Sequence, residues 1–233
     1  MKPWRVIERV ETREGRLELR QRGEQDFLIT VGGRVLMTSA AHRSEDELAR
    51  LACGSMIRRP RPRLLLGGLG MGYTLRAALD LLPQAAEVTV VDLNAQVVAW
   101  CQGPLAALTE SAIRDRRVEI IVGDVARTIA DAPAGHYDAI VLDLYEGPRP
   151  RRPGSRPDPL YGLEAVERDW AALRAGGVLA VWSEDPDPNY EVRLSRTGFR
   201  VQSHRAGGGS GRTHFIYLGT RPENYLVPRP RDD

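Results

Sequence analysis

At 233 residues the chain can bury a full core as one domain with a small appendage, and its 42% apolar and 27% charged content is that of a soluble globular protein. A formal net charge of only +2 gives no global attraction to nucleic acid, and two cysteines, Cys53 and Cys101, read as buried thiols in a reducing compartment rather than a disulfide framework. No apolar run is long enough to cross a bilayer, and the opening MKPWRVIERVETREG carries charges where a signal peptide needs its apolar core, so a cytoplasmic protein is expected.

In chain order, residues 1 to about 40 read as short antiparallel hairpins. Arg16–Gln21 and Phe27–Val31 alternate with period two, and Gly32-Gly33 turns the chain into Val35-Leu36-Met37. Ser44 followed by Glu47 is a capping-box signature and predicts a helix through Leu48, Leu51, Ala52 and Ile57. His42 with Glu45 and Glu47 reads as a surface helix start, and the arginines of 58–63 as a solvated linker. An N-terminal hairpin region with its helix, 1–58, is therefore set apart from a Rossmann-like domain, 59–233.

That domain opens on RLLLGGLGMGYTLRAALDLLPQAAEVTVVD, from Arg63 to Asp92. Two apolar strands flank a helix of about 73–82; glycines crowd the first turn and an acid ends the second strand, as in half of a nucleotide-binding fold. Gly67, Gly68, Gly70 and Gly72 allow a tight turn that a ligand can approach without meeting a Cβ. A helix from Ala95 to about Leu108, broken near Pro104, leads to a third strand, Val118–Val122, closed by Gly123-Asp124. A short helix over 126–130 precedes a fourth strand, Tyr137–Asp143. Asp92, Asp124 and Asp143 thus fall at the carboxyl ends of three strands, which in an open parallel sheet line the ligand crevice.

The loop EGPRPRRPGSRPD, from Glu146 to Asp158, leaves that crevice and is a candidate lid over 147–158. A helix over 160–173, with Trp170 as a core residue, precedes a Gly176-Gly177 turn and a strand over 178–182. A short helix over 189–196, a strand at 199–202, a glycine-rich hairpin loop at 207–211 and a strand at 214–218 complete the fold. The tail from Thr220 is expected to fray.

Several chemistries are excluded. The histidines are isolated and no HxxH or CxxC pattern exists, so no metal is expected. There is no Gly-x-Ser-x-Gly elbow, and GGLGMG lacks the GK[ST] ending of a phosphate loop. Nothing downstream supplies the acid or base of a nicotinamide dehydrogenase. Nucleoside binding through Asp92 and Asp124, with transfer chemistry near Asp143, remains.

On GGLGMG, VVDLN, VGDV and YDAIVLDLYEGP the chain resembles the spermidine synthase family, in the wider group of class I adenosylmethionine-binding folds, over about Gly15 to Leu218. The resemblance implies an α/β, Rossmann-like class I methyltransferase-type sheet with a small N-terminal β-rich region, and a homodimer. Gly67, Gly68, Gly70 and Gly72 would form the cofactor turn, Asp92 would bind ribose and Asp124 the adenine amino group. Asp143 and Glu146 match the family's two active-site acids, and Tyr145 would line the acceptor pocket, ahead of Tyr161. The family's turn carries an acid for the ammonium of the decarboxylated cofactor, where this chain has Gly70. Arg149, Arg151, Arg152 and Arg156 also crowd a loop that should favour a cationic acceptor. The leading expectation is methyl transfer from S-adenosylmethionine to a small-molecule acceptor. Aminopropyl transfer from decarboxylated S-adenosylmethionine is the alternative, and a non-catalytic nucleoside-binding or assembly protein a third. The arginines of 58–63 and 149–156 lack interleaved aromatics, so no nucleic-acid partner is expected.

Overall fold

The computed structural model describes residues 2–12, 14–150, 156–207 and 213–223. The centre of the arginine loop, 151–155, the glycine run 208–212 and the tail from 224 lie outside them.

Four antiparallel strands, β1 (Arg5–Thr12), β2 (Gly15–Arg22), β3 (Asp26–Val31) and β4 (Arg34–Thr38), pair in sequence order. The expected hairpins are present, and β1 is an addition. Its charged residues alternate too loosely to signal a strand, because it is an edge strand lying mostly in solvent. Side chains tie this sheet to the rest of the chain. The Trp100 indole donates to Glu8 at 2.5 Å, Gln96 donates to the same carboxylate at 2.7 Å, and Asn94 donates to Glu14 at 3.3 Å.

Helix α1 (Arg43–Cys53) buries Leu48, Ala49, Ala52 and Cys53. The expected capping box does not form. The residue before the helix is His42, so Ser44 already sits in the first turn; its hydroxyl donates to Glu45 at 2.6 Å, and Glu47 pairs instead with Arg50. The helix also stops before Ile57, which is exposed.

The second sheet has seven strands: β5 (Arg63–Gly67), β6 (Glu87–Asp92), β7 (Val118–Val122), β8 (Tyr137–Leu142), β9 (Leu173–Ser183), β10 (Arg200–Gly207) and β11 (Thr213–Thr220). Their spatial order is β10-β11-β9-β8-β5-β6-β7. The first five in sequence run parallel, and β11 is antiparallel to both β9 and β10. Leu64, Leu65 and Leu66 of β5 are buried at the centre. On one face α1, α2 (Tyr73–Leu81) and α3 (Ala95–Gln102) share a core; on the other lie α4 (Val125–Asp131), α5 (Leu163–Ala172) and α6 (Pro188–Thr197). Strand order reverses between β5 and β8, so the crevice opens at their carboxyl ends.

Three local expectations differ from the structure. The helix after β6 ends at Gln102, two residues before Pro104, and single 3-10 turns follow at Ala106–Thr109 and Ala112–Arg114. Asp158 delays α5 by accepting from the Leu160 and Tyr161 amides at 3.0 and 3.1 Å. Gly176 and Gly177 lie inside β9, where the pairing register with β8 shifts; a Cβ on Gly177 would meet the Arg174 carbonyl at 2.8 Å. Of the arginines of 58–63, Arg58, Arg61 and Arg63 lie exposed, as a solvated linker would have them; Arg61 and Arg63 pair with Glu87, and the half-buried Arg59 with Asp138. Among the described residues no helix is long and apolar enough to cross a membrane.

Candidate active site

The glycine turn is built against the end of β8. The Gly68 amide donates to the Val91 carbonyl and the Asp143 amide to the Gly67 carbonyl, both at 2.8 Å. Gly68 has φ of +88°, and a Cβ there would stand 2.1 Å from the Asp143 carbonyl oxygen. No other residue fits this position. Gly72 precedes the first residue of α2 and its carbonyl accepts from the Arg76 amide.

Asp92 lies beneath the turn, at the end of β6. One carboxylate oxygen accepts from the Leu69 amide and the other from the Asn94 amide, both at 2.9 Å. Burial pushes its carboxyl up, and these amides pull it back. The Gly70 amide also bonds this carboxylate, which leaves it only part of its acceptor capacity for a ligand hydroxyl. Asp124, beyond β7, is exposed and caps α4 by accepting from the Ala126 amide at 2.9 Å.

Asp143 follows β8 at the switch point. Its carboxylate is half-buried and accepts from the Thr74 hydroxyl, on the first turn of α2, at 2.5 Å. Burial, and then the negative charge of Glu45, push its carboxyl from 3.8 to about 7, against the pull of Thr74. A carboxyl poised there holds or releases a proton near neutrality. Glu146 points elsewhere, to Arg149 at 2.9 Å. Tyr145 is half-buried with the Arg34 guanidinium 5.6 Å over its ring, whereas Tyr161 is buried and donates to the Glu146 carbonyl at 2.9 Å. Ser183 holds the start of the arginine loop, donating to the Pro148 carbonyl at 3.1 Å.

The structure therefore gathers Gly67, Gly68, Gly70, Gly72, Asp92 and Asp143 around one turn. Asp124 stands at a more distant strand end, and the Glu146 side chain turns toward solvent. Three participants come from parts of the chain that spacing did not single out. Glu45 is buried, not on a surface helix start, and its charge reaches both Asp143 and Tyr73. Thr74 orients Asp143. Met37, from β4, places its sulfur where it accepts from the Met71 amide at 3.1 Å. A serine next to an acid at a helix start was the sequence signal for Glu45, but it does not tell a buried acid from an exposed one. Among the described residues no three His, Cys, Asp or Glu side chains cluster as metal ligands do.

No family model matches the chain. A polyamine aminopropyltransferase of Stenotrophomonas maltophilia is 26% identical over 207 residues, covering 89% of this chain and 69% of that protein. Polyamine aminopropyltransferase 2 of Hyperthermus butylicus is 32% identical over 127 residues, 54% of this chain and 39% of that one. Putrescine N-methyltransferase 4 of Nicotiana tabacum is 33% identical over 139 residues, 60% of this chain and 33% of that one. The matches to these last two thus span well under half of the relatives' own length. Among solved structures, spermidine synthase from Thermotoga maritima superposes with a TM-score of 0.75 at 18% identity, over 94% of this chain and 74% of that one. In sequence the chain is similar to polyamine aminopropyltransferases and putrescine methyltransferases, and in fold to spermidine synthases. A spermidine synthase in complex with the transition state analogue AdoDATO superposes equally well, at 17% identity. The spermidine synthase fold, a small antiparallel sheet beside a larger mixed Rossmann-like sheet of class I methyltransferase type, is the one described above.

Proposed function

We propose that the chain is an N-alkyltransferase that moves an alkyl group from an adenosyl sulfonium donor to the nitrogen of a small amine. The observation that carries this reading is Asp143, a half-buried acid against the glycine turn whose carboxyl desolvation and Glu45 raise to near neutrality. Both kinds of relative, aminopropyltransferases and putrescine methyltransferases, are named for amine acceptors.

The cradle fits an adenosyl group. Asp92 ends the adjacent strand with its carboxylate beneath the glycine turn, placed for ribose hydroxyls, and Asp124 stands at the next strand end for the adenine amino group. A donor held there supplies an electrophilic carbon on its sulfonium. The chain's own part is to position the amine and take its proton. Asp143 accepts the proton as the new N–C bond forms, Thr74 fixes its orientation, and Glu45 keeps it basic enough to do so. Tyr145 walls the acceptor side, and Glu146 reaches an acceptor's far end only by leaving Arg149.

For the group transferred, the relatives favour aminopropyl: a protein named for that activity matches 89% of the chain. Methyl transfer is the second reading, supported by the putrescine methyltransferase relatives and by Gly70, which leaves the turn without a carboxylate for an aminopropyl ammonium. The test is incubation with diamines and either intact or decarboxylated adenosylmethionine, followed by mass spectrometry. Aminopropyl transfer releases methylthioadenosine and methyl transfer releases adenosylhomocysteine. If the protein binds methylthioadenosine yet alkylates no amine with either donor, the transferase reading gives way to the non-catalytic one.

A further inference from the structure

We propose that the acceptor is an amine that carries a carboxylate: its nitrogen meets Asp143, and its far end is held by Arg34 of the N-terminal sheet. This rests on the transferase reading above and names the class of its acceptor.

Side chains alternate along the chain that leaves β8. Leu142 and Leu144 pack into the core on the α5 face, whereas Tyr145 packs against the core on the α1 face. Asp143 points the same way as Tyr145, toward Thr74 of α2 and within reach of the charge of Glu45 on α1. Two positions of extended chain span at most roughly 7 Å, so one small molecule can touch both side chains. The Arg34 guanidinium stands 5.6 Å over the Tyr145 ring. It is carried by β4, which Met37 ties to the glycine turn through the Met71 amide.

Charge changes sign along this line. At its inner end Asp143 and the buried Glu45 accept from hydroxyls, those of Thr74 and Ser44, and neither pairs with a cation among the described residues. At its outer end Arg34 is exposed and pairs with no carboxylate among the described residues. Arg9, Arg16, Arg20 and Arg22 of the same sheet each have an acid partner. Glu146 does not offset Arg34, because Arg149 already holds its carboxylate at 2.9 Å. The backbone beside it is fixed as well: the Tyr161 hydroxyl donates to the Glu146 carbonyl, and a Cβ on Gly147 would stand 2.5 Å from the Ser183 Cα.

A diamine brings a cation to both ends, and its far ammonium meets a like charge at Arg34. A carboxylate there instead accepts two parallel bonds from the guanidinium. The transfer balances as before. The acceptor nitrogen's lone pair forms the N–C bond, the C–S bond breaks with its electron pair returning to sulfur, and the proton passes to Asp143.

Putrescine and δ-aminovalerate share one amine arm and differ in the charge of the far end, so steady-state kinetics with the two tests this. The native protein is expected to show a kcat/KM for δ-aminovalerate about tenfold above that for putrescine. Arg34→Gln is expected to raise KM for δ-aminovalerate by about tenfold with kcat kept, and Arg34→Glu to invert the preference, with methylthioadenosine binding unchanged in both. A native kcat/KM for putrescine equal to or above that for δ-aminovalerate would overturn the proposal, as would a ratio that Arg34→Glu leaves unmoved. The native ratio stands as a test even if the variants do not fold. Alkylation of neither acceptor with either donor, by a protein that binds methylthioadenosine, would instead overturn the transferase reading itself.

Discussion

Replacing Asp143 by Asn should stabilise the protein above neutral pH while removing turnover. The carboxyl has an ordinary value of 3.8 in the unfolded chain and about 7 in the folded one. An acid whose folded value is raised costs nothing below its unfolded value, and the cost grows as pH rises through the interval, becoming full above about 7. The interval of 3.2 units, 7 minus 3.8, corresponds to about 4 kcal/mol as an upper figure at 1.36 kcal/mol per unit. Asn cannot ionise, and its carbonyl oxygen can still accept from Thr74, though a neutral acceptor is worth about 1 kcal/mol less there. D143N should therefore gain about 2–3 kcal/mol at pH ~8.5, or roughly 5–10 °C in Tm for a chain of this size, and nothing at pH ~4. Turnover should fall by about 10²–10⁴. Thermal melts of both proteins across pH check the first part. A melting difference that does not change with pH, or a less stable D143N at pH ~8.5, would refute the assignment of a raised carboxyl at the switch point.

Glu45→Gln removes the charge that raises Asp143. The acidic limb of kcat/KM against pH should move to lower pH, and a limb that stays in place would remove Glu45 from the site. Gly68→Ala drives a methyl group to 2.1 Å from the Asp143 carbonyl at a positive φ. It should cost more than ~4 kcal/mol, seen as lost soluble protein or lost methylthioadenosine binding; a fully stable, binding variant would contradict the turn geometry. Asp138→Asn, at the other end of β8, loosens the Arg59 and Arg174 pairs and the bond from the Arg63 amide. A loss of roughly 2–4 kcal/mol in urea unfolding, with KM unchanged, is expected because no ligand-bearing residue touches it.

The parallel half of the fold was legible because its strands are continuous apolar runs ending in Gly or Asp. Leu64–Leu66, Val88–Val91 and Ala139–Leu142 announce buried strands, and the acids that follow them announce the crevice. What failed was local. The Ser44–Glu47 spacing matches a capping box two positions out of phase with the real helix start, and no pattern in sequence fixes that phase. Gly176-Gly177 reads as a turn, yet tertiary pairing absorbs it into β9, where Gly177 lies against the Asp138 carbonyl of β8. Strand β1 was not singled out within the expected hairpin region because its charged, mostly exposed residues show no clear alternation, although it pairs locally with β2. Of the site itself, spacing found the residues on strand ends but not those that tune them. Glu45, Thr74 and Met37 act through space, on a carboxylate or a turn whose position only the folded sheet defines.

The strand-end acids illustrate how one pattern yields different chemistry. Asp92 and Asp124 both accept backbone amides, the first from the turn and the second from the helix it caps. For Asp92 burial outweighs these amides and pushes its carboxyl up, so the amides fix the side chain in place rather than set its charge. Burial, and then the charge of Glu45, push Asp143 toward the neutral form against the pull of the Thr74 hydroxyl, and leave it able to exchange a proton. The sequence pattern is the same at all three positions, an apolar run closed by aspartate. The partner of each carboxylate separates holding from chemistry. For Asp143 that partner set comes from α1 and α2 together, and α1 follows directly on β4, which brings Met37 to the turn. The N-terminal sheet and its helix are therefore as much a part of the site as the glycine turn: one supplies the sulfur against Gly70, the other the charge that makes Asp143 a base.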